Sequence, residues 1–190
     1  MIRDLVIVTG AEGFVGGHLV DRLVDLGYNV HGIDNESSGT YKNPSAFYQF
    51  LDIGNCDVEQ DLVPYFKRAI CVFHLAAKAR VQPSFDDPIR YHQTNVNGIL
   101  NLLEACRLAG VKNFVFSSSS SVYGNIHDSE PLEEWDELFP DSPYAFQKKI
   151  GEDYCRYYWS KYNIDCKVLR YFNVYGDRMI VGGQYARSEE

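Results

Sequence analysis

The sequence predicts an α/β fold: a doubly wound parallel sheet of about six strands with helices on both faces. Three observations carry that expectation. Short β-rich runs alternate with longer helical stretches along the chain, the pattern of a parallel sheet flanked by helices. A glycine-rich turn joins the first run to the first helix. Two of the helical stretches end at a glycine, the residue that stops a helix by entering the left-handed region.

In chain order, residues 5–8 read as the first strand. Residues 14–26 are an amphipathic helix closed by Gly27. Residues 29–33 and 46–51 are strands two and three. Residues 61–68 form a short helix and residues 70–74 the fourth strand. A long helix over residues 89–109 ends at Gly110, and residues 113–117 are the fifth strand. A polar, acidic, proline-containing loop covers residues 125–141. Ser142 suits an N-cap and Pro143 the first position of a helix running to about Tyr162. Residues 165–170 are strand six. Residues 176–190 carry Gly182-Gly183, no apolar period and a charged end, and read as a loop or tail.

At 190 residues the chain is one domain, or one domain and part of another. A chain of this size buries roughly 70% of its unfolded surface, enough for a real core. The net charge of −8 argues against nucleic acid or an anionic membrane as partner. It leaves room for a phosphorylated ligand held by backbone N–H groups. The start of the chain runs directly into a strand without a signal-peptide pattern, and no apolar run approaches a membrane span. The five cysteines are odd in number and widely spaced, the usage of reduced, buried thiols in a cytoplasmic protein. No cysteine or histidine pair has metal-ligand spacing, so no metal is expected; His74 reads as a strand-end residue.

Gly10, Gly13 and Gly16 lie between strand one and the first helix. In that context one glycine makes the tight turn, one lets the backbone approach a pyrophosphate, and one packs helix against strand. The helix start at Phe14 and Val15 then offers free N–H groups and positive dipole to the phosphates. Asp34 ends strand two, 18 positions after Gly16, where a carboxylate accepts ribose hydroxyls and repels a 2′-phosphate. Neither Asn35 nor Glu36 is basic, so the expected cofactor is NAD and not NADP. Asp52 and Ile53, after strand three, are a weaker candidate for the adenine.

Tyr144 and Lys148 stand one helical turn apart on one face. A cation beside a phenol favours phenolate and makes the tyrosine a usable acid/base. Strand five runs into Ser117-Ser118-Ser119-Ser120-Ser121, at the strand end where open α/β sheets bind ligands. Those hydroxyls either orient a substrate hydroxyl or satisfy local backbone groups, as serine readily does.

Taken with His74-Leu75-Ala76-Ala77, Asn95-Val96-Asn97-Gly98, Ser117 to Gly124, Ser142 to Lys148 and Arg170 to Gly176, these segments resemble the extended short-chain dehydrogenase/reductases. Within them the chain resembles the nucleotide-sugar epimerase/dehydratase group, over essentially its whole length and in order. The resemblance implies a Rossmann domain over residues 1–175 that binds NAD, with residues 176–190 a tail or the start of a link to a further domain. It implies that Tyr144 is the acid/base, that Lys148 holds the nicotinamide ribose, and that the Ser119 hydroxyl assists proton transfer. Leu75, Ala76, Ala77, Asn95, Ser117 and Tyr171 join the cofactor side. Arg80, Ser84, Ser120 and Asn173 join Ser119 on the substrate side.

Dehydratase members of that family resemble Thr-Asp-Glu after the strand, and decarboxylase members also carry a glutamate. This chain has Ser119-Ser120-Ser121, with no carboxylate at either position, and in that it resembles the 4-epimerases. Elimination needs an extra acid/base pair, and no such pair stands there. The expected reaction is therefore epimerisation of a UDP-sugar at C4 through a 4-keto intermediate, with a dehydratase or reductase of the same family as the alternative. Family members continue into a smaller substrate-gripping domain, which the resemblance predicts to be largely missing here. That leaves a non-catalytic or partner-dependent NAD-binding fragment, or a nucleotide sensor, as further readings. Tyr154, Tyr158 and Tyr162 form a stripe that reads as core or as an oligomer face. The resemblance adds a homodimer through residues 89–109 and 143–162.

Overall fold

The computed structural model describes residues 3–125 and 131–179. Its strands are β1 (Leu5–Thr9), β2 (Asn29–Asp34), β3 (Phe47–Phe50), β4 (Ala69–His74), β5 (Asn113–Ser119) and β6 (Asp165–Tyr171). They form one sheet in the order β3-β2-β1-β4-β5-β6, every neighbouring pair parallel. The order reverses between β1 and β4, the switch point where doubly wound sheets open a crevice.

Side chains alternate across each strand, and the two faces have different covers. Val6 and Val8 of β1 point to α1 (Phe14–Asp25) and pack with Val20, Leu23 and Val30. Ile7, on the opposite face, joins Ile33, Val72, Phe114 and Phe116. That face is covered by α2 (Val63–Phe66), α5 (Gly98–Ala109) and α6 (Pro143–Tyr162). At Gly151 a Cβ would come within 2.6 Å of the Phe116 ring, so α6 lies close on β5 one turn beyond Lys148.

Local chemistry explains most helix ends. The Ser142 Oγ accepts the Ala145 N–H at 3.2 Å with Pro143 behind it, and Asn163 ends α6 at φ 54° in the left-handed region. Gly110 closes α5 at φ 81°. The predicted helix over 61–68 begins earlier, because Asp57 caps the N–H groups of Glu59 and Gln60, and it ends before Arg68, which sits at φ 74°.

Three expectations need correction. The long helix over 89–109 is not continuous: α4 (Pro88–His92) opens into a wide π-type turn over Gln93–Asn97 before α5. In addition, α3 (Val81–Asp86) has no counterpart in the predicted elements. β5 also continues through the serines to Ser119, because Ser117–Ser119 pair with Leu169–Tyr171 of β6; partner strands override the weak strand preference of serine.

Of the predicted tail, residues 176–179 fold back on α1. Arg178 bonds Asp21 at 2.8 Å and His18 at 2.7 Å and lies over the Tyr41 ring. The remainder, 180–190, lies outside the described residues, as do residues 126–130 of the acidic loop.

Candidate active site

Because all six strands run the same way, the predicted site residues at strand ends gather on one edge of the sheet: Gly10 after β1, Asp34 of β2, Asp52 after β3, Leu75 after β4, Ser119 of β5 and Tyr171 of β6.

The glycine turn is fixed by backbone bonds on both sides. The Gly10 N–H donates to the Ile33 carbonyl at 2.8 Å and the Leu75 N–H to the Thr9 carbonyl at 3.1 Å. Gly10 has φ 69°, and a Cβ there would lie 2.6 Å from the Ala76 nitrogen. A Cβ on Gly16 would lie 1.9 Å from the Gly10 oxygen, whereas one on Gly13 would keep 3.2 Å from the same atom. The first turn of α1, with Phe14 and Val15, has no side-chain cap and no acidic residue. Asp34 is buried; its Oδ2 accepts the Glu12 N–H and its Oδ1 the Glu36 N–H, both at 2.9 Å. The carboxylate is thereby held across the turn with lone pairs left to accept hydroxyls. Asn35 spends its Oδ1 on the Ser37 N–H at 3.2 Å.

Glu12 and Lys42 were not singled out by sequence. Glu12 is buried, and burial raises its carboxyl pKa against the lowering effect of Lys42, whose Nζ lies 3.2 Å away and 2.7 Å from Glu36. His74 is also engaged: its Nδ1 meets the Thr9 hydroxyl at 2.8 Å and its ring stacks on Phe116. Burial, reinforced by the Lys148 charge, lowers its pKa well below the ordinary histidine value, which keeps it neutral.

Asp52 bonds the Gly54 N–H at 3.0 Å, and the Ile53 side chain is buried against Gly98. Ala76 takes part through its N–H, which donates to the Thr9 hydroxyl at 3.3 Å, and Ala77 follows it in the half-buried loop. Asn95, in the wide turn, holds the far end of that loop through the Lys78 backbone.

On the other side of the edge, Tyr144 and Lys148 are both buried. The Lys148 Nζ donates to the Ser117 carbonyl at 2.8 Å and lies 5.9 Å from the centre of the Tyr144 ring. Burial pushes the Lys148 pKa down to about 8, so the ammonium form still dominates at neutral pH. The Ser119 hydroxyl meets that of Ser121 at 3.0 Å and accepts the Ser121 N–H at 3.2 Å. Ser120 opens a single helical turn over Ser120–Tyr123 and is half-buried. Tyr171 pairs in register with Ser119.

Of the substrate-side candidates, Ser84 is buried. Its hydroxyl is committed to the Val81 carbonyl and, at 3.2 Å, to the Tyr144 N–H, so it satisfies one of the open donors at the start of α6. Arg80 and Asn173 are exposed.

A polar network behind the serines also went unread in the sequence. Glu152, one turn beyond Lys148, accepts the Ser118 hydroxyl and both arms of the Arg170 guanidinium, at 3.0 and 2.8 Å. Arg170 also donates to the Tyr123 hydroxyl at 2.9 Å and to the Glu134 carbonyl at 3.0 Å. The available signal was a glutamate inside an otherwise core-facing helix stripe, a position that calls for a cationic partner.

The family model described as "NAD dependent epimerase/dehydratase family" matches residues 6–188. The UDP-glucose 4-epimerase of Mycolicibacterium smegmatis is 41% identical over 186 residues, 94% of this chain and 58% of that protein. The crystal structure of Thermus thermophilus UDP-glucose 4-epimerase in complex with NAD superposes with a TM-score of 0.89 at 36% identity, over 95% of this chain and 58% of that one. A UDP-N-acetylglucosamine 4-epimerase from Methanobrevibacter ruminantium, solved with UDP-N-acetylmuramic acid, gives the same TM-score of 0.89 at 39% identity, over 97% of this chain and 60% of that one. The chain thus spans about three-fifths of the length of these relatives.

Proposed function

The chain belongs to the NAD-dependent epimerase/dehydratase family, and from that premise we propose that it carries the NAD-binding and proton-transferring part of a nucleotide-sugar 4-epimerase acting on a UDP-sugar. The observation that supports this most is the buried Tyr144–Lys148 pair, tied through the Ser117 carbonyl to the strand that ends at Ser119, at the edge that also holds the glycine turn. Serines at 120 and 121, where an eliminating enzyme needs an acid and a base, favour epimerisation over dehydration.

The residues present fit NAD. Gly10 and Gly16 leave no room for a Cβ, so the backbone can meet a pyrophosphate at the uncapped start of α1. The held Asp34 carboxylate suits a ribose diol, and Glu12 and Glu36 add negative charge that disfavours a 2′-phosphate. In this reading Gly10, Gly13, Phe14, Val15 and Gly16 hold the phosphates and Asp34 and Asn35 the adenosine ribose. Asp52 and Ile53 lie towards the adenine, and Leu75, Ala76, Ala77, Asn95, Ser117 and Tyr171 line the rest. Bound there, NAD supplies the hydride acceptor and donor.

Tyr144 takes the proton of the sugar C4 hydroxyl as that carbon is oxidised, and returns it once the 4-keto sugar has presented its other face. The Lys148 ammonium stabilises the negative charge on the phenol oxygen. The Ser119 hydroxyl, steadied by Ser121, orients the reacting oxygen. Ser120, Asn173 and Arg80 belong to the sugar-nucleotide side, whereas Ser84 is buried with its hydroxyl on the Val81 carbonyl and the Tyr144 N–H.

We assign residues 1–175 to the NAD-binding domain and 176–190 to the link that follows it. Among the described residues no helix is long and apolar enough to cross a membrane, and we place the protein in the cytoplasm. We further propose a homodimer through 89–109 and 143–162, where Leu108, Tyr157, Trp159 and Tyr162 are exposed. Tyr158 is not free for that face, since it is buried with its hydroxyl on Glu104.

Tyr144→Phe tests the chemistry. Interconversion of UDP-glucose and UDP-galactose should fall by a factor on the order of 10² or more, while NAD binding stays within about twofold. Undiminished turnover overturns the assignment. NAD binding without turnover in the unaltered chain would favour the partner-dependent fragment.

A further inference from the structure

Gln147 stands between Tyr144 and Lys148 on α6 and points inwards, 4% exposed. Its side-chain amide is used at both ends. Nε2 donates to the Pro88 carbonyl at 3.2 Å, and Oε1 accepts from the Asn95 Nδ2 at 3.0 Å. Asn95, 2% exposed, grips one residue of the loop after β4 by both backbone groups. Its Oδ1 accepts the Lys78 N–H at 2.9 Å, and its Nδ2 donates to the Lys78 carbonyl at 3.1 Å. The wide turn over Gln93–Asn97 carries Asn95, and such turns are frequent at functional sites.

The amides can be placed only one way round. Pro88 offers an acceptor and therefore needs Nε2, which leaves Oε1 for Asn95. Asn95 must then turn its NH2 to Gln147 and its oxygen to the Lys78 N–H. Two buried side chains thus connect α6 and the start of α4 to the loop of Leu75, Ala76 and Ala77. Satisfied buried networks of this kind fix geometry, because each broken member leaves an unpaired group.

We infer that Gln147 is a positioning residue that sets α6, with its Tyr144 and Lys148, against the loop at residues 75–78, and so fixes the distance between the acid/base and the near half of the bound dinucleotide. The inference rests on the NAD-binding reading given above. It treats Gln147 as acting through Asn95 and touching neither cofactor nor substrate.

The test compares two ligands by calorimetry on the full chain: NAD, which reaches both ends of the crevice, and ADP, which occupies the glycine turn, Asp34 and the adenine end at Asp52 and Ile53 but not the Tyr144 end. Gln147→Met keeps an unbranched side chain of similar size and removes both hydrogen bonds. It should weaken NAD about tenfold and leave ADP within about twofold. Asn95→Ala should show the same split, and the double variant should be no weaker for NAD than the worse single one, since both act on one connection. Equal loss of NAD and ADP, no loss of either, or multiplied losses in the double variant would each overturn the inference. If Gln147→Met does not fold, Gln147→Leu, which also removes both hydrogen bonds, is measured in the same way and its NAD-to-ADP split decides in the same two directions. Failure of the unaltered chain to bind NAD and ADP would instead overturn the NAD-binding reading itself.

Discussion

The two halves of the sheet are stabilised differently. Around β1, β2 and β4 both faces are covered, and every residue of β1 from Val6 to Thr9 is buried. There the dinucleotide turn is built from backbone: glycines too crowded for a Cβ, and carbonyl-to-amide bonds between strand ends. Among the described residues β6, at the outer edge, is covered less, with no fully buried residue. Leu169 is 41% exposed and Phe172 62%, and a cleft of about 630 Å³ opens between Trp159 and Phe172. What holds this half is charge under the cleft: the Glu152–Arg170 pair with Ser118 and Tyr123, and the buried Lys148. The proposed acid/base pair needs a controlled electrostatic setting, and that setting comes at a cost in stability which the apolar half offsets.

The harshest way to break the comparison is to remove one member of the pair. Glu152→Ala strands a guanidinium whose side chain is 15% exposed and leaves the Ser118 hydroxyl unpaired. The expected loss is about 3–5 kcal/mol by urea denaturation. A loss below about 1 kcal/mol, the worth of an exposed pair, would mean that the β5–β6 half does not depend on this network. The counterpart on the other half is Gly16→Ala, expected to cost roughly 3 kcal/mol because its Cβ meets a backbone oxygen that cannot move aside. Gly13→Ala, with 3.2 Å of room, should cost much less and serves as its control. If the two alanines behave alike, the turn is softer than its packing indicates.

How much of this was legible in the sequence divides along the same line. The backbone-built half was, because glycine spacing, strand periodicity and the carboxylate at Asp34 are local signals with a local cause. So were the Ser142 cap of α6 and the one-turn spacing of Tyr144 and Lys148. The side-chain network was not, because each of its bonds joins residues far apart in sequence: Ser118 with Glu152, Glu152 with Arg170, Asn95 with Gln147. The break at Gln93–Asn97 escaped for the same reason. Its apolar period is that of a continuous helix, and only the fit of Asn95 to the Lys78 backbone marks where the helix opens. Ser84 reads as a substrate-facing hydroxyl until the start of α6 is laid over it, whereupon its hydroxyl bonds the Tyr144 N–H.

Lys148 gives the smallest effect and the sharpest sign. Its pKa falls from 10.5 to about 8 on folding because burial penalises the ammonium form. At about 1.4 kcal/mol per tenfold change in proton affinity, the folded state bears a penalty of roughly 3 kcal/mol when the group is charged in both states. That penalty is fully present below pH 8, declines as pH rises towards 10.5, and vanishes above it, so this group makes the chain more stable with rising pH across that window. Lys148→Met removes the penalty and also the bond to the Ser117 carbonyl, worth about 1 kcal/mol. The variant should therefore be more stable than the natural chain by about 2 kcal/mol at pH 7, the gap should close and reverse as pH nears 10.5, leaving the variant about 1 kcal/mol less stable above it, and the proposed turnover should be lost. The difference between the two denaturation curves, taken at each pH, isolates this lysine from the other titrating groups. A variant that is less stable at pH 7, or a gap that does not change with pH, would show that the β5–β6 half does not bear an electrostatic cost at Lys148.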